Sequence, residues 1–168
     1  MVKAGAYGHA DGMVCQALQA AGAAWFAVSC LAEALHLRAG GVTGQILILG
    51  HTDPAWAADL IAHDLTQAVF SGEYARALSD KALAAGGRVK AHLKVDTGMG
   101  RLGFDARSEA HIDACVAALA DCCALPGLDV TGAFQHFAVA DSHAAEDIAY
   151  TAGQHHRFVR VLEGLKRR

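Results

Sequence analysis

The chain has 168 residues, of which 54% are hydrophobic and 18% are charged, and its formal net charge is -3. This composition predicts a single globular domain and excludes a disordered chain. The slight acidic excess excludes nucleic acids and anionic membranes as expected partners, because both attract basic surfaces. The longest apolar stretches, residues 22–32 and 45–50, are too short for a membrane span.

Short apolar runs alternate six times with stretches of helical period, and this alternation predicts βαβ units. In chain order, the predicted strands cover residues 1–4, 25–30, 45–49, 67–71, 89–96 and 130–137. The predicted helices cover residues 8–21, 31–39, 53–62, 72–85, 108–123 and 146–165. Residues 46–49 are all apolar, as in a parallel strand that helices cover on both faces.

Six βα units fit either an open doubly wound sheet or most of a (β/α)8 barrel. Functional groups collect at the carboxyl ends of the strands in both folds. The polar side chains predicted at those ends are Lys3, Ser29, His51, Ser71, Asp96 with Arg101, and His136.

Five scattered cysteines and ten histidines set the expectations for redox state and metals. An odd number of cysteines, two of them adjacent at 122 and 123, fits no disulfide framework and indicates a reducing cytoplasm. The histidines lack the spacing of a zinc site, so no metal is predicted. Neither a Gly-x-Ser-x-Gly nor a Walker motif is present, which removes the commonest hydrolase and nucleotidase hypotheses.

Residues 98–103 contain a G-x-G-x-x-G pattern after a predicted strand, which raises the hypothesis of a dinucleotide-binding turn. That mechanism requires the glycines to lie at the N-terminus of a helix. The next helix is predicted to begin only near residue 107 or 108. We therefore disfavour dinucleotide binding.

Lys3 and His136 each have a chemical and a structural interpretation, and Lys94 has a structural one. Lys3, at a predicted strand end before a glycine-containing loop, suits Schiff-base chemistry if burial beside Arg101 lowers its pKa, or is simply solvated. His136 is either a site residue or a packed structural histidine. Lys94 lies two residues before Asp96, on the same strand face, which predicts an ion pair.

Residues 2–9 (VKAGAYGH) and 92–104 (HLKVDTGMGRLGF) resemble the corresponding motifs of the alanine racemase family. Supporting segments at 48–52, 64–67, 136–141 and 151–158 extend the resemblance over essentially the whole chain. It implies a pyridoxal 5'-phosphate (PLP) enzyme of fold type III that interconverts L- and D-alanine, or serine. Its product would be D-alanine for peptidoglycan precursors in the cytoplasm.

The resemblance also implies a role for individual residues. Lys3 matches the lysine that holds PLP covalently and takes the α-proton of one enantiomer. Tyr7 matches the tyrosine that contacts the cofactor phosphate, and Arg101 the arginine that contacts the PLP phenolic oxygen and the substrate carboxylate. His136 matches the histidine close to the cofactor ring. Lys94 matches a lysine that is carbamylated in some members, where the resulting anion orients Arg101.

The resemblance implies that residues 1–168 form an incomplete N-terminal PLP-binding domain, a partial (β/α)8 TIM barrel of about six βα units with a parallel sheet. The C-terminal β-domain is expected to be absent. In the family's homodimer that domain gives the partner a tyrosine as second base, so we expect the 168 residues alone to be inactive.

Two residues differ from the family motifs, and two alternative functions are retained. Gly5 stands where the family usually has Asn, and Gln135 stands where Thr is usual. The alternatives are a non-catalytic PLP-binding homeostasis protein and another fold type III enzyme, such as a decarboxylase or a D-amino-acid lyase.

Overall fold

The computed structural model describes residues 1 to 168 and shows a mixed α/β protein with one six-stranded sheet. The hydrogen-bonded strand order is β1-β2-β3-β4-β5, and β6 pairs with β4. The strands are β1 (Trp25–Val28), β2 (Gln45–Ile48), β3 (Leu65–Val69), β4 (Val89–Asp96), β5 (Phe104–Asp105) and β6 (Leu128–Phe134). The helices are α1 (Lys3–Gly8), α2 (Asp11–Ala20), α3 (Leu31–Ala39), α4 (Ala57–Ala62), α5 (Gly72–Ala84), α6 (Ile112–Cys123) and α7 (Ala145–Lys166).

Burial along the strands explains why the sheet is parallel. All positions of β3 are buried, and so are three of the four positions of β2. Strands without a solvated face need cover on both sides, which is the situation of parallel strands joined by helices. The β1–β2, β2–β3 and β4–β5 pairs are parallel. The predicted α/β class with a parallel sheet is therefore confirmed.

The chain divides into two compact units, which we describe separately. The first unit comprises residues 1–68, 77–92 and 126–131. Its core contains fully buried aliphatic side chains from β1, β2 and helices α3 and α4, among them Val28, Leu37, Ile46, Ile48 and Leu60.

The second unit comprises residues 69–76, 93–125 and 132–168. Helices α6 and α7 pack against each other in this unit. Leu119 of α6 and Val161 of α7 are fully buried there. No helix of either unit is both long enough and apolar enough to span a bilayer.

Several predicted elements coincide with the observed ones. The predicted helix 31–39 and strand 89–96 have the observed bounds of α3 and β4. The predicted helix 53–62 begins as a 3-10 turn, Pro54–Trp56, and the Asp53 carboxylate accepts a hydrogen bond from the Ala55 N–H at 2.9 Å. The predicted strand 67–71 lies two residues too late, because β3 starts directly after Asp64, whose φ is +50°.

The predicted strand at residues 1–4 is wrong. Val2 donates one hydrogen bond to the Ala27 carbonyl at 2.9 Å, but the chain then turns away into α1. The φ angles from Ala4 to Tyr7 lie between +52° and +62°, in the left-handed region. A left-handed turn cannot continue along a strand. The sixth strand is instead β5, whose two residues are too few to show a periodic pattern.

Candidate active site

Lys3 begins α1, which we call the lysine turn. The turn is left-handed, and each non-glycine residue in that conformation costs about 1–2 kcal/mol. The Ala6 N–H donates to the Val2 carbonyl at 3.0 Å, and Val2 itself is buried. The Lys3 side chain is half-buried, whereas the Tyr7 side chain is exposed. The lysine therefore lies at the start of a strained turn. The predicted position at the end of a strand is wrong.

Glu33, in the first turn of α3, fixes the lysine turn to the end of β1. Its Oε1 accepts a hydrogen bond from the Ala4 N–H at 2.8 Å, and its Oε2 accepts one from the Ser29 N–H at 2.7 Å. Hydrogen bonds from backbone N–H groups to a carboxylate are among the stronger ones in proteins. One side chain thus holds the residue that directly follows Lys3.

Residues 97–103 form a second glycine-containing segment, which we call the arginine loop because it carries Arg101. The carboxylate of Asp96, at the end of β4, accepts hydrogen bonds from the Gly98 and Gly100 N–H groups at 3.0 Å. At Gly103, where φ is +135°, a Cβ would lie 2.6 Å from the Asp96 nitrogen. Glycine is required there because the backbone passes so close.

The arginine loop does not form a dinucleotide-binding turn. Gly103 is followed directly by β5, and the next α-helix begins only at Ile112. The glycines therefore do not lie at a helix N-terminus, where a phosphate would bind. The interpretation that disfavoured dinucleotide binding agrees with this geometry.

Lys94 of β4 is 3% exposed, an unusual degree of burial for a lysine. Its Nζ donates to the Leu102 carbonyl at 2.8 Å and lies 5.8 Å from the centre of the Phe134 ring. Burial lowers the pKa of Lys94, the nearby Arg101 lowers it further, and Asp96 opposes both effects. The predicted ion pair between Lys94 and Asp96 is therefore wrong: the amine bonds to the Leu102 carbonyl of the arginine loop, and the Asp96 carboxylate bonds to backbone N–H groups of that loop.

His136 lies two residues beyond the end of β6, at Phe134, and its side chain is exposed. The predicted strand extended to residue 137, so the histidine follows the strand instead of belonging to it. Its backbone carbonyl accepts a hydrogen bond from Gln154 Nε2 at 3.3 Å. His136 therefore lies at the carboxyl end of β6, on a segment that α7 contacts.

Three polar side chains of α7, which we call the α7 row, contact the arginine loop. Tyr150 Oη donates to the Gly98 carbonyl at 2.6 Å, and Arg157 donates to the Thr97 carbonyl from Nη2 at 2.8 Å and from Nε at 3.1 Å. Gln154 Nε2 donates to Thr97 Oγ1 at 3.3 Å. Their spacing, i, i+4 and i+7, places the three residues on one helix face.

Sequence reasoning missed the α7 row and Glu33 as site residues. The signal for the row was a set of polar side chains on one face of a predicted helix. Glu33 gave no signal, because a glutamate in the first turn of a helix is ordinary.

The predicted site residues are distributed between the two units. Lys3 and Tyr7 belong to the first unit, and both lie in the lysine turn. Lys94, Arg101 and His136 belong to the second unit. Within that unit, Lys94 binds the arginine loop, and α7 binds both that loop and the segment around His136.

A sheet with parallel strand pairs and intervening helices defines the α/β class, which includes open doubly wound sheets and (β/α)8 barrels. The structure of "alanine racemase [Clostridium difficile 630]" superposes on this chain with a TM-score of 0.88 and 32% identity, covering 99% of this chain and 42% of that one. This likeness confirms the predicted partial (β/α)8 barrel. The family model "Alanine racemase, N-terminal domain" matches residues 1–168, so the chain belongs to that family.

Two further relatives show the range of the similarity. The curated "Alanine racemase" of Clostridium perfringens (strain SM101 / Type A) is 38% identical over 166 residues, which are 99% of this chain and 41% of that protein. The structure "Histidine Racemase from Leuconostoc mesenteroides subsp. sake NBRC 102480" has a TM-score of 0.81 and 31% identity, covering 95% of this chain and 41% of that one. The chain thus spans about two fifths of the length of these relatives.

Proposed function

We propose that the protein to which these residues belong is a PLP-dependent racemase that interconverts L- and D-alanine. The observation that carries this proposal is the family match over residues 1–168. The motif residues Lys3 and Tyr7 lie together in the lysine turn, and Arg101 lies in the arginine loop. The proposal includes a cytoplasmic location, a supply of D-alanine for peptidoglycan precursors, and a homodimeric assembly.

The side chains present fit the chemistry of PLP. An aldehyde needs a primary amine, which Lys3 supplies, and a phosphate needs hydrogen-bond donors such as the Tyr7 hydroxyl. An anionic phenolic oxygen or a carboxylate suits a forked, permanently charged guanidinium, which Arg101 supplies from an exposed position. The side chains therefore match the aldehyde, the phosphate and the phenolic oxygen of the cofactor.

In the proposed reaction each side chain has one task. When bound, PLP serves as the sink for the electron pair that remains on the substrate Cα after proton loss. Lys3 Nζ removes or returns that proton on one face of the substrate. Arg101 holds the substrate carboxylate, and His136 lies against the cofactor ring. Racemisation also needs a base on the opposite face, which we assign to a tyrosine of the partner subunit, as the family resemblance implies.

Lys94 is the proposed carbamylation site. Carbamylation joins a neutral amine to CO2 and releases a proton, so it is favoured where the pKa of the amine is lowered. Burial lowers the pKa of Lys94, which supports this assignment. The anion so formed would attract the Arg101 guanidinium, because Arg101 directly precedes Leu102, whose carbonyl the Lys94 amine contacts.

The test is a chiral assay of D-alanine formed from L-alanine in the presence of PLP. We would compare this chain alone with the same chain joined to the remaining region of the Clostridium perfringens relative. The joined protein is expected to form D-alanine only with PLP, and the 168-residue chain alone to form little or none. A joined protein that binds PLP but never forms D-alanine would favour the non-catalytic alternative.

A wider substrate range is the second candidate, favoured by the likeness to a histidine racemase at 31% identity. The same joined protein would be assayed with L-alanine, L-serine and L-histidine. Alanine is expected to give the highest kcat/KM, because most of the similar curated proteins carry the name of that activity. A higher kcat/KM for histidine would reassign the substrate and keep the reaction class.

A further inference from the structure

Gln154 has no exposed surface, although its side chain is a polar carboxamide. Burying such a group costs free energy unless its donors and acceptor are bonded. Its Oε1 accepts a hydrogen bond from the Ala138 N–H at 3.0 Å, and its Nε2 donates to Thr97 Oγ1 and to the His136 carbonyl, both at 3.3 Å. One amide therefore joins the arginine loop to the segment that carries His136.

The orientation of this amide is fixed by its partners. Rotating it by half a turn would place Nε2 against the Ala138 N–H and Oε1 against the His136 carbonyl. Both contacts would be repulsive, because they would pair two donors and two acceptors. Gln154 can thus satisfy its neighbours in one orientation only.

Thr97 extends the series of hydrogen bonds in the same direction. Its hydroxyl accepts from Gln154 Nε2, so its single hydrogen is available to Gln135 Oε1, with which it is hydrogen-bonded. The series runs from the Ala138 N–H through Gln154 and Thr97 to Gln135. Hydrogen bonds in such a series polarise and strengthen one another. Gln135, which stands where the family usually has Thr, is its last acceptor.

The Thr97 backbone is held as firmly as its side chain. Its carbonyl accepts two hydrogen bonds from the Arg157 guanidinium, and the next amides in the loop, those of Gly98 and Gly100, bond to the Asp96 carboxylate. The main chain is therefore fixed up to the residue before Arg101. A shift of Thr97 would therefore displace the backbone that carries the Arg101 guanidinium.

We propose that Thr97 and Gln154 are positioning residues that couple Arg101 to His136, so that the two site residues are placed together and shift together. The inference rests on the proposed function, in which Arg101 binds the substrate carboxylate and His136 lies against the cofactor ring. Neither Thr97 nor Gln154 touches a reacting atom in this scheme. Their effect is transmitted through the backbone of the arginine loop and of residues 136–138.

The first test needs no activity and uses amide hydrogen exchange of the unliganded chain. Thr97→Val removes the hydroxyl at nearly constant volume, and Thr97→Ser retains it. We expect Thr97→Val to speed exchange at the Ala138 amide about tenfold, although the two residues share no hydrogen bond, and Thr97→Ser to restore it. Conversely, Gln154→Leu should speed exchange at Gly98 and Gly100, whose amides bond to Asp96.

Two controls separate coupling from general loosening. Arg160→Ala removes an exposed guanidinium of the same helix, which pairs with Glu109, and should leave the Ala138, Gly98 and Gly100 amides unchanged. The Leu49 amide, bonded to the Val28 carbonyl in the first unit, should exchange at the wild-type rate in every variant. If each substitution alters only the amides of its own direct partners, or if Leu49 changes equally, the coupling does not exist.

The second test uses the PLP-loaded joined protein and steady-state kinetics with L-alanine. Thr97→Val should raise KM and lower kcat together, each about threefold to tenfold, and should shift the cofactor absorbance spectrum. Thr97→Ser should recover both constants and the spectrum. A change in KM alone would overturn the coupling to His136. A wild-type protein without PLP-dependent activity would defeat the proposed function, while the exchange experiment would still decide the coupling.

Discussion

The lysine turn and the arginine loop are both short, glycine-containing segments that carry a cationic residue of the proposed site, but they are held differently. In the lysine turn, Ala4, Ala6 and Tyr7 adopt positive φ angles without being glycines. In the arginine loop, the positive φ angles at 98, 100 and 103 are all at glycines. The first segment is therefore strained, whereas the second is composed of residues suited to its backbone.

The two segments also differ in the number of side chains that bond to them. The carboxylate of Glu33 bonds to the lysine turn at Ala4. The arginine loop is bonded by Asp96, at the end of the preceding strand, and by the three side chains of the α7 row. We infer that several independent contacts fix the backbone around Arg101, whereas the position of Lys3 depends on a few strong contacts. Substitutions in the two segments should separate these cases.

The largest expected effect comes from replacing each cation. Lys3→Ala should lower the racemisation rate of the joined protein by about 10²–10⁴-fold, because it removes a positioned base. Arg101→Lys keeps the charge and loses the fork, so its effect should be smaller. The rates would be measured by the chiral assay, with exposed Lys81→Ala as the control.

Borohydride reduction of the PLP-loaded protein followed by peptide mapping would locate the attachment directly. The pyridoxyl group is expected on Lys3. Its presence on another lysine would refute the assignment, and the candidates to be checked are Lys81, Lys90, Lys94 and Lys166.

The second comparison replaces the two bridging carboxylates by amides. Glu33→Gln and Asp96→Asn each place an NH2 group against a backbone N–H, so each should lower the free energy of unfolding by about 1–3 kcal/mol. Asp96, at 8% exposure, should give the larger loss. Urea denaturation would measure both, with exposed Glu163→Gln as the control. If Glu33→Gln and Asp96→Asn reduced the exchange protection of the Ala4 amide equally, the two segments would not be held by independent contacts.

Much of the sheet was predictable from residue patterns. The strand β4 and the helix α3 were found at their observed bounds, because the alternation of apolar and polar residues in VKAHLKVD and the helical period of residues 31–39 mark such elements over eight or nine residues. The lysine turn could not be found in this way. Its left-handed backbone depends on contacts distant in the sequence, such as the bond from Ala4 to Glu33, and three of its strained residues are not glycines.

The candidate site likewise contains parts that could be predicted from the sequence and parts that could not. The motifs containing Lys3 and Arg101 were identifiable because their residue types and spacing are unusual. The proposed positioning roles of Gln154 and Thr97 were not, although both residues lie in the identified segments, since their hydrogen bond forms only where α7 meets the arginine loop. The sequence shows Gln154 as one of several polar side chains on a helix face, and this pattern does not reveal which of them is buried against the arginine loop.

Glycine substitutions should sharpen the contrast in strain. Ala4→Gly, at a φ of +52°, should raise the free energy of unfolding by about 0.5 kcal/mol, since relief of strain exceeds the added chain entropy. The same change at Ala114, exposed inside α6, should lower it by about 1 kcal/mol. Thermal unfolding would measure both variants. A loss of stability in Ala4→Gly would show that the lysine turn is not strained.

The smallest expected effect is a dependence of stability on pH that arises from Lys94. Burial lowers the pKa of this amine below its ordinary value of 10.5 in the folded chain. Between the lowered pKa and 10.5, the unfolded chain binds more protons than the folded chain does, so the free energy of unfolding rises with pH. Below the lowered pKa both states are protonated, and the burial penalty is constant.

Lys94→Met isolates this contribution because it keeps the volume and removes the titrating group. Urea denaturation in CO2-free buffer at about pH 7 and about pH 10 should show that wild-type stability, measured relative to the variant, is greater at the alkaline pH. Exposed Lys81→Met should show no such difference. Working without CO2 keeps the amine from becoming an anion, which would reverse the electrostatic sign beside Arg101. If the wild type and Lys94→Met differ equally at both pH values, the folded chain does not lower the pKa of Lys94, and its burial is fully compensated by the Leu102 carbonyl and the Phe134 ring.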